Sequence, residues 1–284
     1  MIDPGHAGSY YNASPVVPGY YESTMTWLLA EKLKNALERY GFEVGLTRHT
    51  KDQDPELTER GRRAAGYDLF LSLHSNAAGS EAPDAPWIIC LTPDRKTGLD
   101  EISRQVGEAL GPVISRLMGV SAPYYYTKSV DFDRDGNGYI DDEYYGVLFG
   151  SKSVGVPGVI IEHSFHTNAR AAAWLLDENN LDKLAEAEAA ALAEFYEMEE
   201  SPMTTAEKTT LENLAERVEE LEDKAEHTDP KYDWTLACPE WAQSTVHKLH
   251  QRKYLRGDEM GQLNLSEDMC RLLVILDRAG VFDK

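Results

Sequence analysis

His6, Glu22, His74 and Glu162 are the residues whose types could carry out hydrolytic chemistry together. Each falls at the end of a predicted element. His6 sits in the turn Pro4-Gly5-His6-Ala7-Gly8, and Glu22 stands just before an amphipathic stretch. His74 closes an apolar run after Leu73, and Glu162 follows Val159-Ile160-Ile161. Two imidazoles and a carboxylate are a sufficient donor set for a catalytic zinc. That ion takes N and O ligands at ~2.0–2.2 Å in tetrahedral array and keeps one position for water. A second carboxylate, off the metal, can take the water's proton and pass it to a leaving group. On this reading His6, Glu22 and His74 are the ligands and Glu162 is the base. The spacing is not a compact H-E-x-x-H motif. The residues alone therefore leave a zinc hydrolase beside the plainer reading of polar side chains at turns and strand ends.

The elements that must position these groups follow from hydrophobic periodicity. Met25, Leu29, Leu33, Leu37 and Tyr40 recur at helical spacing, which predicts a helix over 23–40, with Gly41 as its stop. Phe42, Val44 and Leu46 alternate and predict a strand. A short helix is expected over 57–65, carrying Arg60, Arg62 and Arg63. Strands are expected over 68–74, 87–91 and 159–162, and 124–126 reads as extended. Helices are expected over 102–118, kinked or broken at Gly111-Pro112, and over 181–198. Strands alternating with helices predict an α/β fold with a mostly parallel sheet flanked by helices. In such sheets ligands gather where strands end and loops begin.

Composition narrows the partners. The chain has 284 residues, enough for a main domain and smaller pieces. Its net charge of −21 argues against nucleic acid, whose phosphates are bound by Lys and Arg patches. No apolar run reaches the ~18 residues needed to span a membrane, so no membrane insertion is expected. The N-terminus lacks a basic region followed by an apolar stretch, so no signal peptide is expected and synthesis is placed in the cytoplasm. Cys90, Cys238 and Cys270 are widely spaced and odd in number, which fits a reducing compartment during synthesis.

Four stretches, taken in order, resemble one known family. They are Ile2-Asp3-Pro4-Gly5-His6; Glu22 at the head of a helix; Ser72-Leu73-His74-Ser75-Asn76; and Ile160-Ile161-Glu162-His163-Ser164-Phe165-His166-Thr167-Asn168. Together they resemble the zinc-dependent N-acetylmuramoyl-L-alanine amidases over about residues 1–198. The resemblance implies a twisted, mostly parallel sheet flanked by helices. It implies hydrolysis of the amide between the lactyl group of N-acetylmuramic acid and L-alanine in peptidoglycan. Family zinc ligands map onto His6, Glu22 and His74, and the catalytic glutamate onto Glu162. Asn76 and Asn168 match asparagines that line or brace the site. His166 is a candidate substrate contact, whereas His163 is expected to pack or to bond a neighbouring backbone. The opening turn departs from the family, which usually has two glycines after the histidine. Ala7 is tolerable there unless the position needs a positive φ. A wall-binding protein with a degenerate amidase domain and a zinc peptidase acting on the stem peptide are the alternatives.

A second metal site is suggested by residues 131–142. Asp131, Asp133, Asp135, Asn137 and Asp142 fit the calcium-loop pattern D-x-D-x-D-G, with Gly136 at the sharp turn. Position twelve is an aspartate, Asp142, where that pattern has a glutamate. The plain reading is an acidic surface insertion.

Beyond Ser201-Pro202 the sequence changes character. Three parts are expected: a catalytic domain over 1–200, a helical linker over 201–230, and a small helical domain over 231–284. Leu211, Leu214, Val218, Leu221 and Ala225 follow a heptad seam, so 207–226 pairs with a copy of itself as a homo-oligomer, docks on the protein, or is a solvated linker helix. Helices are expected over 239–253 and 267–279, the second capped by Ser266. The tail loosely resembles an S-layer-homology-like wall-binding unit. This plan is that of phage or prophage endolysins and autolysins. The expected lack of a signal peptide favours an endolysin that acts at the bacterial cell wall after release.

Overall fold

The computed structural model describes residues 1–79, 82–94, 96–140, 142–200, 213, 216–218, 232, 233, 235, 237–258 and 261–282. The chain divides into two compact units, Met1–Ser201 and Pro202–Lys284.

The first unit is built on a five-stranded mixed sheet. Its strands are β1 (Ile2–Pro4), β2 (Phe70–Asn76), β3 (Trp87–Cys90), β4 (Tyr124–Tyr126) and β5 (Gly158–Phe165), in the order β1-β2-β5-β3-β4. β1, β2 and β5 run parallel, β3 runs antiparallel to β5, and β4 is parallel to β3. Six helices flank the sheet among the described residues of this unit: α1 (Glu22–Arg39), α2 (Leu57–Arg62), α3 (Leu99–Met118), α4 (Gly146–Ser153), α5 (Ala169–Leu176) and α6 (Glu178–Phe195).

Alternation along the strands sends side chains to two faces. Leu71, Leu73, Ile88, Val159 and Ile161 pack with Leu29 and Leu33 of α1, Leu110 of α3 and Leu184 of α6. Phe70, Ile89 and Ile160 point the other way and pack with Ala64, Val147 and Leu148. On that face α2 and α4 cross closely. A Cβ at Gly61 would lie 2.0 Å from the Val147 carbonyl oxygen, so only glycine permits the approach. The crossing fixes where α2 delivers Arg60.

Two expectations need correction. Phe42, Val44 and Leu46 do not form a strand; only Leu46 pairs, in an isolated bridge to Ile2. The segment reaches β1 at one point, through Ile2 N–H to Gly45 O and Thr47 N–H to Ile2 O. The three-residue β1 is too short to template more. Pro112 does not break α3, which runs from Leu99 to Met118. Pro112 and Glu108 both lie on the exposed side, where the carbonyl that the missing N–H leaves free is not buried.

The second unit contains α7 (Glu240–Gln251) and α8 (Glu267–Arg278). They pack in a cluster of Cys238, Ala242, Val246, Leu265, Cys270 and Val274, and Tyr232 pairs with Leu265. The Ser266 side chain accepts the Met269 N–H and caps α8. Of the heptad positions, Leu211, Leu214, Leu221 and Ala225 lie outside the described residues. Val218 is helical and exposed.

Candidate active site

The turn after β1 is held by buried charge. Asp3 is fully buried, and its carboxylate accepts hydrogen bonds from Arg60 Nε (2.7 Å), Ser72 Oγ (2.7 Å) and Thr47 Oγ1. Arg60 Nη2 and Arg48 Nε both donate to the Pro4 carbonyl. Arg48 also donates to the Lys51 carbonyl, and its guanidinium lies 4.9 Å from the centre of the Trp27 ring. Burial first, and the neighbouring Arg60 charge second, lower Arg48 to about 10, so it still carries its proton at neutral pH. A three-residue strand thus presents His6 from a backbone fixed by two arginines. Thr26 Oγ1 donates to the Gly5 carbonyl at 2.8 Å. Gly5 is required: a Cβ there would sit 2.4–2.6 Å from the His74 ring. His6 itself takes φ +59°, an uncommon value for a non-glycine residue. Ala7 does not adopt a positive φ, so the alanine in place of glycine costs no backbone strain.

The structure brings His6, Glu22 and His74 together, with donor atoms all within 4.8 Å of one another. Glu22 is the first residue of α1, and its carboxylate is buried. One oxygen lies 3.1 Å from His6 Nε2, the other 3.0 Å from His74 Nδ1. Asn12 Nδ2 donates to Glu22 Oε2 at 2.8 Å, and the Ser75 N–H donates to Oε1 at 2.9 Å. Burial alone would raise the Glu22 carboxyl. Hydrogen bonds and charge from His6 and His74 outweigh it and hold the carboxyl well below the usual range. The group is therefore a compact N, N, O donor set with an ionised carboxylate, which fits a divalent cation.

Glu162 lies beside this group, because β5 pairs with β2 and places Glu162 opposite His74. Its Oε2 is buried with no hydrogen-bond partner. Burial, and then the Glu22 charge, push its carboxyl well above the usual range. An unpaired buried carboxylate oxygen costs stability, so its presence calls for an explanation such as a catalytic role. The pairing of β2 and β5 shifts register just past this point, where buried Ser164 takes φ +87°. Such a bulge re-aims neighbouring side chains.

The remaining expected residues bond to neighbouring protein groups. His166 is buried, and its Nδ1 lies 2.8 Å from the Ser75 carbonyl and 3.8 Å from Glu22 Oε2. Tyr20 stacks on it and donates to Ser75 Oγ. Asn168 caps α5 by accepting the Arg170 and Ala171 N–H groups, and its Nδ2 donates to Ala82 O. Asn76 Oδ1 accepts the Ala77 N–H. His163 bonds the His74 carbonyl and Glu188, deep beneath the sheet. Sequence reasoning missed Asn12, Ser75, Arg48 and Asp3 with Arg60. Only the last pair left a signal: a charged residue at 60 on the helix face that also presents Gly61 and Ala64.

The profile of the N-acetylmuramoyl-L-alanine amidase family matches residues 1–194. The chain belongs to this family. Among curated proteins, this amidase-family chain is 27% identical over 190 residues to N-acetylmuramoyl-L-alanine amidase LytC of Bacillus subtilis (strain 168). That match covers 66% of this chain and 33% of LytC, so the chain spans about a third of the relative's length. Among solved structures it resembles the catalytic domain of CwlV from Bacillus (Paenibacillus) polymyxa var. colistinus. The TM-score is 0.53 at 22% identity, over 70% of this chain and 97% of that one. Cwp6 from Clostridium difficile gives a TM-score of 0.55 at 21% identity, over 68% of this chain and 28% of that one. These likenesses establish the fold of the first unit of this amidase-family chain.

The acidic loop is a separate cluster. Asp133, Asp135 and Asp142 carboxylates lie within 4.8 Å of one another, while Asp131 stands outside that group. Asp133 accepts the N–H groups of Gly136, Asn137 and Gly138, and Asp142 those of Arg134 and Asp135. Asn137 Nδ2 donates to Asp135 Oδ2 at 2.9 Å. The loop springs from β4 and is closed by a bridge between Ser129 and Glu143 rather than by two helices.

Proposed function

We propose that this chain is a zinc-dependent peptidoglycan hydrolase that cleaves the amide between N-acetylmuramic acid and L-alanine. Family membership supports the reaction. The observation that carries the mechanism is the juxtaposition of the His6, Glu22 and His74 donor set with Glu162, whose Oε2 has no protein partner. His6, Glu22 and His74 would hold the zinc. When bound there, it lowers the pKa of a water to about 7 and polarises a carbonyl. Asn12 and the Ser75 N–H orient the Glu22 carboxylate, so it stays ionised toward the histidines. Glu162 Oε2 takes a proton from the attacking water and returns it to the L-alanine nitrogen as the C–N bond breaks. The products are a lactyl carboxylate and a peptide with a free amino end. Asn168 caps α5 through its side-chain oxygen, and His166 Nδ1 is held by the Ser75 carbonyl, so both act as braces.

The test is a digest of purified peptidoglycan with the metal-loaded chain. Free L-alanine N-termini with intact glycan strands are expected, lost with a chelator and regained with zinc. Other new termini would mean a stem-peptide peptidase, and no release would mean a wall-binding protein. The same digest with a chain ending at Ser201 asks whether the second unit holds the enzyme on walls, a role that rests on sequence alone. So do the endolysin plan and self-association through 207–226.

The acidic loop we assign to calcium, with Asp133, Asp135 and Asp142 as carboxylate ligands and Asp131 and Asn137 completing the set. Alternating carboxylates supply the hard oxygens calcium prefers. Its part is to order the segment between β4 and α4. Calcium at a hundredfold excess over its Kd should stabilise the zinc-loaded protein by about 2.7 kcal/mol. A thermal midpoint that does not move with calcium would exclude the assignment.

A further inference from the structure

One cross-strand row runs through the catalytic end of the sheet. His74 on β2 pairs with Glu162 on β5, Glu162 with Trp87 on β3, and Trp87 with Tyr124 on β4. Directly paired residues share a face, and neighbouring strands lie about 4.7–4.9 Å apart. The row therefore leads from a candidate metal ligand, through the candidate base, to two aromatic rings. Tyr126 stands on the same face, two residues along β4.

These rings form a continuous surface. Trp87 lies 5.0 Å from Tyr124, 5.7 Å from Tyr126 and 5.2 Å from Phe165, centre to centre. Phe165 is buried beneath, whereas Tyr124 is 54% exposed. The next pair on this face, Ile89 and Ile160, is covered by Val147 and Leu148. Tyr126 packs in part against that cover, which stops one step short of Trp87, so Trp87 and Tyr124 are left facing the site.

We propose that Trp87, Tyr124 and Tyr126 form the platform on which the sugar rings of the glycan strand lie. The proposal rests on the amidase reading and adds its direction: glycan on the β3–β4 side of Glu162, stem peptide on the other. A pyranose ring presents C–H groups on its faces and hydroxyls at its rim. Aromatic faces are apolar and carry the negative side of the ring quadrupole, which suits C–H groups. Tyrosine hydroxyls at the border suit the hydroxyls; the Tyr126 hydroxyl already bonds that of Tyr145 at 2.8 Å. A stem peptide with free carboxylates and amines would need charged partners, and the four rings supply none. The distance also fits. The sugar that bears the lactyl group lies only a few bonds from the scissile amide, and Trp87 is one strand from Glu162.

The test uses the 284-residue, zinc-loaded chain carrying Glu162→Gln, which binds without turning over. It is titrated by calorimetry with a peptide-free oligosaccharide of alternating N-acetylglucosamine and N-acetylmuramic acid, and separately with the free stem peptide. Adding Tyr124→Ala should weaken glycan binding roughly two- to tenfold and leave peptide binding unchanged. Adding Trp87→Leu should weaken it further. Trp87 is partly packed, so the half-exposed Tyr124 decides the matter if that variant unfolds. Weakened peptide binding with unchanged glycan binding would overturn the proposal in favour of a peptide platform. No change in either would leave only a packed sheet edge and overturn it as well. These outcomes are independent of the amidase reading, which stands or falls on the L-alanine termini released by the native chain.

Discussion

Replacing Glu162 by glutamine should lower turnover on purified peptidoglycan by about a hundred- to ten-thousandfold, the range expected for losing a positioned general base. Glutamine keeps the shape and cannot accept the water's proton. Metal content should not change, because Glu162 is not one of the three converging donors. The variant should also fold as well as the parent or better. In the metal-free protein, burial and the Glu22 charge hold the Glu162 carboxyl above its unfolded value. The folded state then binds more protons than the unfolded one between the two values. Stability is lost as pH rises through that window. Glutamine removes this loss, so the metal-free variant should show a flatter fall of thermal midpoint with pH. A fully active Glu162→Gln enzyme would sink the mechanism. A variant that unfolds at low temperature would show that the carboxylate is structural.

The second large effect concerns the turn that carries His6. Replacing Arg60 by alanine leaves the fully buried Asp3 carboxylate without its ion-pair partner. Breaking a buried pair from one side destabilises by about 3–5 kcal/mol. For a unit of this size that is a drop of roughly 6–20 °C in thermal midpoint. The change also removes one of two arginine donors to the Pro4 carbonyl, so zinc affinity should fall along with stability. The double variant Asp3→Asn, Arg60→Met removes both charges and should recover much of the stability. If the double variant is no better than Arg60→Ala alone, the loss comes from packing and not from the uncompensated carboxylate. Calorimetry of Asp3→Asn, Arg60→Met and their double variant measures the coupling directly.

Much of this protein was legible in its sequence because the signals are local. The 3.6-residue recurrence of Met25, Leu29 and Leu33 marks α1. The apolar runs before His74 and Glu162 mark β2 and β5. Each is set by which face a few neighbouring side chains bury. The expectations that failed were also local. Phe42, Val44 and Leu46 alternate as a strand does, yet the three-residue β1 beside them offers too few partners. Pro112 interrupts a hydrogen bond, yet it does so on the exposed side of α3, and the helix continues.

The sequence by itself singled out the candidate residues, His6, Glu22, His74 and Glu162, and the strand ends and helix start that bear them. Only the tertiary structure decided how they are held. Asp3 meets Arg60 across 57 positions, and Trp87 meets Glu162 because β3 inserts antiparallel next to β5. A buried charge must find its opposite wherever the fold places one, and a cross-strand neighbour is set by strand order. Neither depends on separation along the chain, so residue spacing does not reveal them.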